Sequence, residues 1–359
     1  MGVADKIHEL EEEMSKTQKN KATEGHLGLL KAKIARLKRE SESTKKSGKS
    51  SGGFDVKKAG NATVVFIGLP SVGKSTLLNA LTGAKSKTAA YAFTTLTCIP
   101  GMLSYKGAQI QLLDLPGIIV GASTGKGRGR EVIAVARNAD LVMLIVDVFE
   151  PGIVEKLKEE LYSIGIRLDE EPPEIKITPI AKGGLEINYS IKPTHLNDKL
   201  IQGVLKEYGI HSAEVNVRCD ATVDQLIDVL NGNRKYANSL TILNKVDLVK
   251  PEFLKTIGFP FVPISAQSSQ NIESLKEAIY QKLNLIRVYT KSRFDGVDKE
   301  PMMLRSNSSI GDACDAIHRD LRSEFKYCQV WGTSAKHPGQ KQGLEHKLKD
   351  GDTIYVHKK

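Results

Sequence analysis

The sequence predicts an α/β protein: a parallel sheet with crossover helices, a helical hairpin before it, a small α+β unit inserted within it and a β-grasp module after it. Three observations predict this. Apolar runs alternate with helical segments from Ala62 onward; the alternation breaks near Ile166 and resumes near Ser239; and the segment from 287 onward opens and closes with strands around one helix.

Residues 1–60 are rich in Lys and Glu with a sparse apolar stripe. Ile7, Leu10 and Met14, then Leu27, Leu30, Ile34 and Leu37, recur at steps of three and four, which places each set on one helix face. "KNKATEGHLG" between them allows the turn of a hairpin, and "STKKSGKSSGGF", residues 43–54, reads as a flexible basic linker. The hairpin either covers the sheet domain or forms a basic arm facing a partner.

Within 61–165, "TVVFIG", "AQIQLLD" and "LVMLIVDV" read as strands of a sheet buried on both faces, and "KSTLLNALTG", "EVIAVARNA" and "VEKLKEELYSIG" as the helices between them. Residues 166–238 read as strand, strand, helix, strand, helix, the inserted unit, whose "HLNDKLIQGVLKEYGIH" carries an apolar face suited to a core. The parent sheet resumes over 239–286 with "SLTILN" and "PFVPIS" as strands and "IESLKEAIYQKLN" as a helix. Residues 287–359 hold "IRVYT", an amphipathic "IGDACDAIHRDLRSEF", "YCQVWG" and "DTIYVHK". Trp331 in this last segment reads either as a base-stacking platform or as a core residue.

The bulk numbers bound the function. With 359 residues, 40% hydrophobic and 26% charged, and a mean hydropathy of −0.25, the chain is long enough for several domains and reads as a soluble globular protein. It has no run of eighteen apolar residues, and its N-terminus is charged from Asp5, so neither a membrane span nor a signal peptide is expected and a cytoplasmic location is. Cys98, Cys219, Cys314 and Cys328 lie far apart and predict buried reduced thiols rather than a metal site. A net charge of +10 and a pI near 9.2 fit either a polyanionic partner such as RNA or a solvated basic surface.

The chemistry is carried by three motifs in order. "GLPSVGKST", Gly68–Thr76, matches G-x-x-x-x-G-K-[ST] between a strand and a helix. Gly68 and Gly73 let the backbone of Pro70, Ser71, Val72 and their neighbours aim N–H groups at phosphate oxygens, at the positive end of the helix that Lys74, Ser75 and Thr76 begin. Lys74 can reach the β- and γ-phosphates and the Ser75 hydroxyl can ligate Mg²⁺. In "LLDLPGI", Asp114 ends a strand where it can hold the magnesium through water, and the Gly117 N–H can bond the γ-phosphate. Thr95 in "FTTL" lies where a γ-phosphate sensor belongs, and is preferred over Thr94 for the metal role.

The third motif reads the base. In "NKVD", Asn244, Lys245 and Asp247 follow a strand, and a carboxylate at Asp247 can accept from guanine's ring N–H and exocyclic amine, where adenine presents an acceptor and no amine. Leaving such a site unpaired costs about 10⁴- to 10⁵-fold in selectivity. "SAQ", Ser265, Ala266 and Gln267, supplies the loop behind the base. Together the motifs predict a P-loop GTPase whose metal is held by Ser75, Thr95 and Asp114 and whose catalytic groups are Lys74, Thr95 and Gly117.

One residue departs from the Ras-like arrangement. Ile118 occupies the position after Gly117 where those enzymes hold a water-orienting glutamine, and its side chain has no donor or acceptor. It is expected to pack under the switch, with water held by backbone groups, the Thr95 region or the substrate. Intrinsic turnover is then expected on the order of 10⁻³ to 10⁻² per second. Lys126 or Arg128 in "TGKGRGR" either approaches the phosphates or belongs to a solvated loop.

The stretches "GLPSVGKSTLLNALTG", "YAFTTLTCIPG", "LLDLPGI", "GKGRGREVIAVARNADL", "GNRKY", "LNKVD" and "FKYCQVWGTSAKHPGQKQGL" resemble the developmentally regulated GTP-binding (DRG) proteins, an Obg-related branch of GTPases. The likeness covers nearly the whole chain. It implies GTP hydrolysis at the ribosome around translation, a C-terminal TGS domain and a helical N-terminus that contact RNA or ribosome, a regulatory protein partner, and K⁺ stimulation in some members. The chain is expected to act as a monomer. Two positions depart from the pattern: Val120 stands where an acidic residue is usual, and Ser71 where potassium-dependent GTPases often have asparagine. An RNA-docking protein that keeps its nucleotide as a structural ligand, and an Obg-like ATPase, are the competing readings.

Overall fold

The computed structural model describes residues 3–18, 20, 23–44, 59–83, 99–115, 135, 138–292 and 296–359. Thr95, Gly117, Ile118, Val120, Lys126, Arg128 and most of the helix expected at "EVIAVARNA" lie outside the described residues. In chain order, helices α1 (Val3–Lys16) and α2 (Glu24–Thr44) precede β1 (Ala62–Ile67), α3 (Lys74–Thr82), β2 (Ile99–Tyr105), β3 (Ala108–Asp114), β4 (Leu141–Asp147), α4 (Ile153–Ser163) and β5 (Ile166–Leu168). Next come β6 (Ile175–Pro179), β7 (Leu185–Tyr189), α5 (Asp198–Glu207), β8 (Ala213–Val217) and α6 (Val223–Asn231). After them run β9 (Lys235–Asn244), α7 (Pro251–Leu254), β10 (Val262–Pro263) and α8 (Ile272–Lys282). The chain finishes with β11 (Leu285–Ser292), β12 (Gly296–Val297), β13 (Met302–Arg305), α9 (Ile310–Ile317), β14 (Phe325–Trp331), β15 (Gln340–Gln342) and β16 (Asp352–Lys358). These elements form two compact units, 1–53 with 170–236 and 54–169 with 237–359.

In the larger unit a seven-stranded sheet has the order β10-β9-β4-β1-β3-β2, with β5 paired to β9. β1 runs parallel to β3 and β4, and β9 parallel to β4 and β10. All six residues of β1 are buried, so both faces need cover. Alternate side chains supply the two cores. Val64, Phe66, Leu112, Met143 and Ile145 pack with α3 and α8, while Val65, Ile67, Leu113, Val142 and Leu144 pack with α4. The chain leaves β1 toward β3 and later returns to β4 on its other side. That reversal opens a crevice at the carboxyl ends of the strands, where such folds bind ligands.

β2 was not expected from the sequence. It pairs antiparallel with β3 along its whole length, and the Pro100-Gly101 pair hides its pattern. A Cβ at Gly101 would lie 2.6 Å from Thr82 Cγ2 and 2.8 Å from Leu78 Cδ1, so glycine is needed for the strand to meet α3.

The last strands of the same unit form a second sheet of order β12-β11-β16-β14-β15, with β13 on β11. β11 and β16 are parallel and central, and β16 is antiparallel to β14. α9 lays Ile310, Ala313 and Cys314 on one face, against Val288, Cys328, Val330 and Ile354. This is the expected β-grasp arrangement. The helix is shorter than its periodicity predicts: it ends at Ile317, and His318 at φ −161°, ψ 133° is extended. Leu321 beyond it still reaches the core, through a turn rather than a helix face.

The smaller unit joins a three-stranded sheet, β6-β8-β7, to four helices. α5 buries Leu200, Ile201, Val204 and Leu205, the core role expected for that apolar face. In the N-terminal hairpin, α2 packs against α5 and α6, with Ala32 fully buried among them. Small residues allow the approach: a Cβ at Gly203 would lie 2.8 Å from Leu29 Cδ2. Lys31 Nζ pairs with Asp224 at 2.7 Å, and Arg36 Nη1 donates to the Glu207 carbonyl at 2.6 Å. Helix α2 extends through Ser43 and Thr44, the first two residues of the stretch whose composition reads as linker.

The inserted segment is also narrower than 166–238. β5 joins the large sheet, Ile166 is buried in the α4 core, and Asp169 Oδ1 accepts from the Ser239 N–H at 2.9 Å. The insertion in the compact unit is therefore 170–236.

Candidate nucleotide-binding site

The phosphate side is built by the turn from β1 into α3. Gly68 is buried beneath β4, where a Cβ would come within 2.3 Å of the Ile145 carbonyl oxygen. Gly73 adopts φ +94°, and a Cβ there would lie 2.4 Å from Asn244 Nδ2. Both glycines are thus required by close approach, and Gly73 by its left-handed backbone as well. Between them Pro70 and Ser71 are exposed, Ser71 at φ +65°, and Val72 is buried.

Lys74 opens α3 and is 7% exposed. Its Nζ donates to the carbonyls of Gly68 at 3.1 Å and Leu69 at 2.8 Å, which holds the ammonium inside the loop. Burial pushes its pKa below the usual lysine value, partly offset by the negative charge of Asp114. An entering phosphate would supply the anion that a buried ammonium lacks. Thr76, two residues on, is exposed.

Ser75 Oγ donates to Asp114 Oδ2 at 2.6 Å. Asp114 closes β3 at 5% exposure, and its Oδ1 is buried without a hydrogen-bond partner among the described residues. An orphaned carboxylate oxygen beside a serine hydroxyl is a hard oxygen donor set that fits Mg²⁺.

The base side is built from β9, β10 and the loops after them. Asn244 ends β9 at 2% exposure. Its Nδ2 donates to the Val72 carbonyl at 2.8 Å, and its Oδ1 accepts from the Ala266 N–H at 3.0 Å. One amide thus ties the phosphate loop to the "SAQ" loop. In that loop Ser265 and Ala266 are buried and Gln267 is exposed, and Ser265 Oγ accepts from the Ser268 N–H at 3.2 Å. Lys245 turns the chain at φ +66°. Asp247 sits exposed in the following 3₁₀ turn, and its carboxylate accepts no hydrogen bond from the described residues. It is available to a guanine edge.

Asp147 was missed in the sequence. It ends β4, and its Oδ2 holds Lys245 Nζ at 2.5 Å while its Oδ1 accepts from the Phe149 N–H at 3.1 Å. The pair steadies a long side chain two residues before Asp247. The available signal was a third apolar strand, "LVMLIVD", that like "QLLD" ends in aspartate at the sheet's carboxyl edge.

A phosphate loop, a metal-side carboxylate and an N-K-x-D segment at one edge of a parallel sheet define a P-loop guanine-nucleotide-binding protein. Comparison with known families agrees. The family described as "50S ribosome-binding GTPase" matches residues 63–178, the "C-terminal region" of that domain matches 182–285, and "TGS domain" matches 286–358. A GTP-binding protein of Methanocaldococcus jannaschii is 48% identical over 99% of this chain and 93% of its own. "GTP-binding protein 1" of Schizosaccharomyces pombe is 48% identical over 99% of both chains. The "Developmentally-regulated GTP-binding protein 2 homolog" of Dictyostelium discoideum is 48% identical over the full length of both. The chain belongs to the developmentally regulated GTP-binding protein family, P-loop GTPases with a C-terminal TGS domain.

Proposed function

We propose that this GTPase hydrolyses GTP slowly on its own and acts as a ribosome-associated switch in translation. The observation that carries the nucleotide reading is Asn244, whose amide bridges Val72 in the phosphate loop and Ala266 behind the base. Loading of the base side is thereby linked to the geometry of the phosphate side. Gly68, Gly73 and the backbone between them cradle the phosphates, Lys74 neutralises them, and Asp247 selects guanine over adenine, with Lys245 held beside it by Asp147.

Ser75 and Asp114 would hold Mg²⁺ with Thr95, and the ion would neutralise β- and γ-phosphate charge. The Gly117 N–H would bond the γ-phosphate. Ile118 cannot orient water, so the attacking water is held by backbone groups, the Thr95 region or the substrate itself. A partner that supplied a positive charge to the transition state would add about 10³- to 10⁵-fold, equivalent to about 4 to 7 kcal/mol of barrier. The ribosome reading is supported by the chain's charge of +10 and by the description of the matching family. Potassium is proposed as a further activator on the family resemblance alone, since Ser71 stands where potassium-dependent GTPases often have asparagine.

Multiple-turnover phosphate release from GTP and ATP, in sodium or potassium, with and without ribosomes, tests this reading. GTP-selective release that rises with ribosomes is expected. Tight GTP binding without turnover under every condition would make the nucleotide a structural ligand, and turnover of ATP in preference to GTP would overturn the role given to Asp247.

A further inference from the structure

The TGS domain is attached to the large sheet at two places that differ in kind. One is at the middle of that sheet: Arg305, which closes β13, pairs with Asp140, whose Oδ2 also accepts from the Thr63 N–H of β1 at 2.9 Å. The other is at the sheet's edge, at the tip of the β2–β3 ribbon. The ribbon turns through Lys106 at φ +49° and Gly107 at φ +85°, the pair of left-handed residues that suits a two-residue hairpin turn.

The tip meets both the helix that leads into the TGS domain and a strand within it. α8 ends at Lys282 and β11 starts at Leu285. On α8, Glu277 accepts from the Tyr105 hydroxyl at 2.8 Å and pairs with Lys106 Nζ at 2.6 Å. Tyr105 meets Tyr280 edge-on at 6.0 Å, and Lys106 Nζ lies 5.5 Å from the Tyr280 ring. Gly107 lies against the TGS side, where a Cβ would be 3.0 Å from Pro301 Cγ and 4.0 Å from Met303 Sδ. This clasp is not saturated. The Tyr280 hydroxyl is buried without a hydrogen-bond partner among the described residues, so the packing is higher in energy than one in which it finds a partner. Asp140, by contrast, is engaged by both Arg305 and Thr63.

The ribbon's opposite end is at the nucleotide site. Ile99 faces Asp114, the metal-side carboxylate, and the strands keep register from there to Tyr105 and Ala108. At about 3.4 Å per residue the ribbon spans about 20 Å. Slip by one residue would turn Leu103 out of the core that α3 covers, so the ladder carries a displacement along its length rather than absorbing it. Thr95 comes four residues before Ile99 and Gly117 three after Asp114. These are the groups assigned to the γ-phosphate side, so GTP and GDP load this end differently.

We propose that the β2–β3 ribbon is a lever that carries the state of the bound nucleotide from Asp114 to the Tyr105–Lys106–Glu277 clasp, tilting the TGS domain about its Arg305–Asp140 anchor. The inference rests on the nucleotide-site reading and is independent of the ribosome. By linkage, whatever the nucleotide does to the clasp, the clasp does to the preference for GTP over GDP. Glu277 and Lys106 are positioning residues, since they act on the nucleotide only through the ribbon.

The test measures Kd for GDP and for a non-hydrolysable GTP analogue in the full chain, by competition against a fluorescent guanine nucleotide. Glu277→Ala is expected to change the ratio of the two constants by about 5-fold or more. Glu277→Gln, which keeps an acceptor for Tyr105, is expected to change it less. Amide hydrogen exchange over Met302–Arg305 is expected to differ between the two nucleotide states in the parent and to be equal in both in Glu277→Ala. Tyr105→Phe, which removes one hydroxyl, should shift the ratio in the same direction and serves should Glu277→Ala fail to fold. A clasp with a structural role alone would weaken both affinities by one factor, leaving the ratio and the exchange difference as in the parent, and that result overturns the lever while the nucleotide site stands. A parent chain that does not bind the GTP analogue overturns the reading of the site, and the lever with it.

Discussion

The two sheets of the larger unit use their surfaces in opposite ways. In the seven-stranded sheet both faces are sealed by helices, β1 is buried at every position, and the chemistry is displaced to the strand ends, where Asp114, Asp147 and Asn244 each close a strand. In the β-grasp sheet one face is core and the other carries rings and lysines along the strands. A parallel sheet has no free face to lend, so its ligand must sit at an edge. An alternating sheet can offer a face directly. Position along a strand decides function in the first, and parity along a strand decides which side chains enter the core in the second.

Substitutions at strand ends and on strand faces should therefore separate. The largest effect is expected at an end: Asp247→Ala should reduce preference for GTP over ATP by about 10⁴-fold in competition binding, with little change in unfolding free energy. A loss of selectivity below tenfold would take Asp247 out of the base-reading role. On a face, Phe66→Ala in β1 empties a site of 0% exposure and should cost about 3–5 kcal/mol in denaturant unfolding.

Neighbours in β16 sharpen the contrast. Ile354→Ala should cost about 2–5 kcal/mol, because Ile354 is 1% exposed in the core. Tyr355→Leu, one residue later and on the other face, should change unfolding by less than about 1 kcal/mol. Equal costs for the two would mean that the second face is a core as well. Asn244→Ala bridges both behaviours, since it is a strand-end residue that is buried. It strands the Val72 carbonyl and the Ala266 N–H, and should weaken nucleotide binding and stability together by about 1–3 kcal/mol.

The smallest effect depends on pH. Arg287 holds the Asp350 carboxyl below its usual range, through paired contacts at 3.1 and 2.7 Å. A depressed acid contributes stability that is present above its unfolded pKa of 3.8 and is lost as pH falls through the lower folded value. Both side chains are more than a third exposed, so screening keeps the contribution under about 1 kcal/mol. The parent should melt slightly above Asp350→Asn at pH 6, and this advantage should vanish in strong acid. An advantage that grows on acidification would have the wrong sign for this pair.

Legibility followed the same division. The phosphate loop, Asp114 and the N-K-x-D segment were readable because each lies at a strand–loop junction with a fixed local spacing. Asp147 was not, because its role depends on Lys245, 98 residues later, folding back to meet it. β2 was hidden by Pro100-Gly101, whose place in a strand makes sense only once α3 is packed against it. The end of α9 was misread because Leu321 keeps an apolar rhythm that a turn, rather than a helix, delivers to the core.

By itself the sequence determined the βα alternation, the phosphate loop and the preference for guanine, since these rest on periodicity and on motifs whose geometry is local. Tertiary structure decided that α2 packs on the insertion, that 166–168 belong to the large sheet, that one asparagine ties the two halves of the nucleotide site, and that the rings of the last sheet share the face turned away from α9. Those outcomes join residues far apart in the chain, and burial and register, which select among such pairings, exist only once the chain has folded.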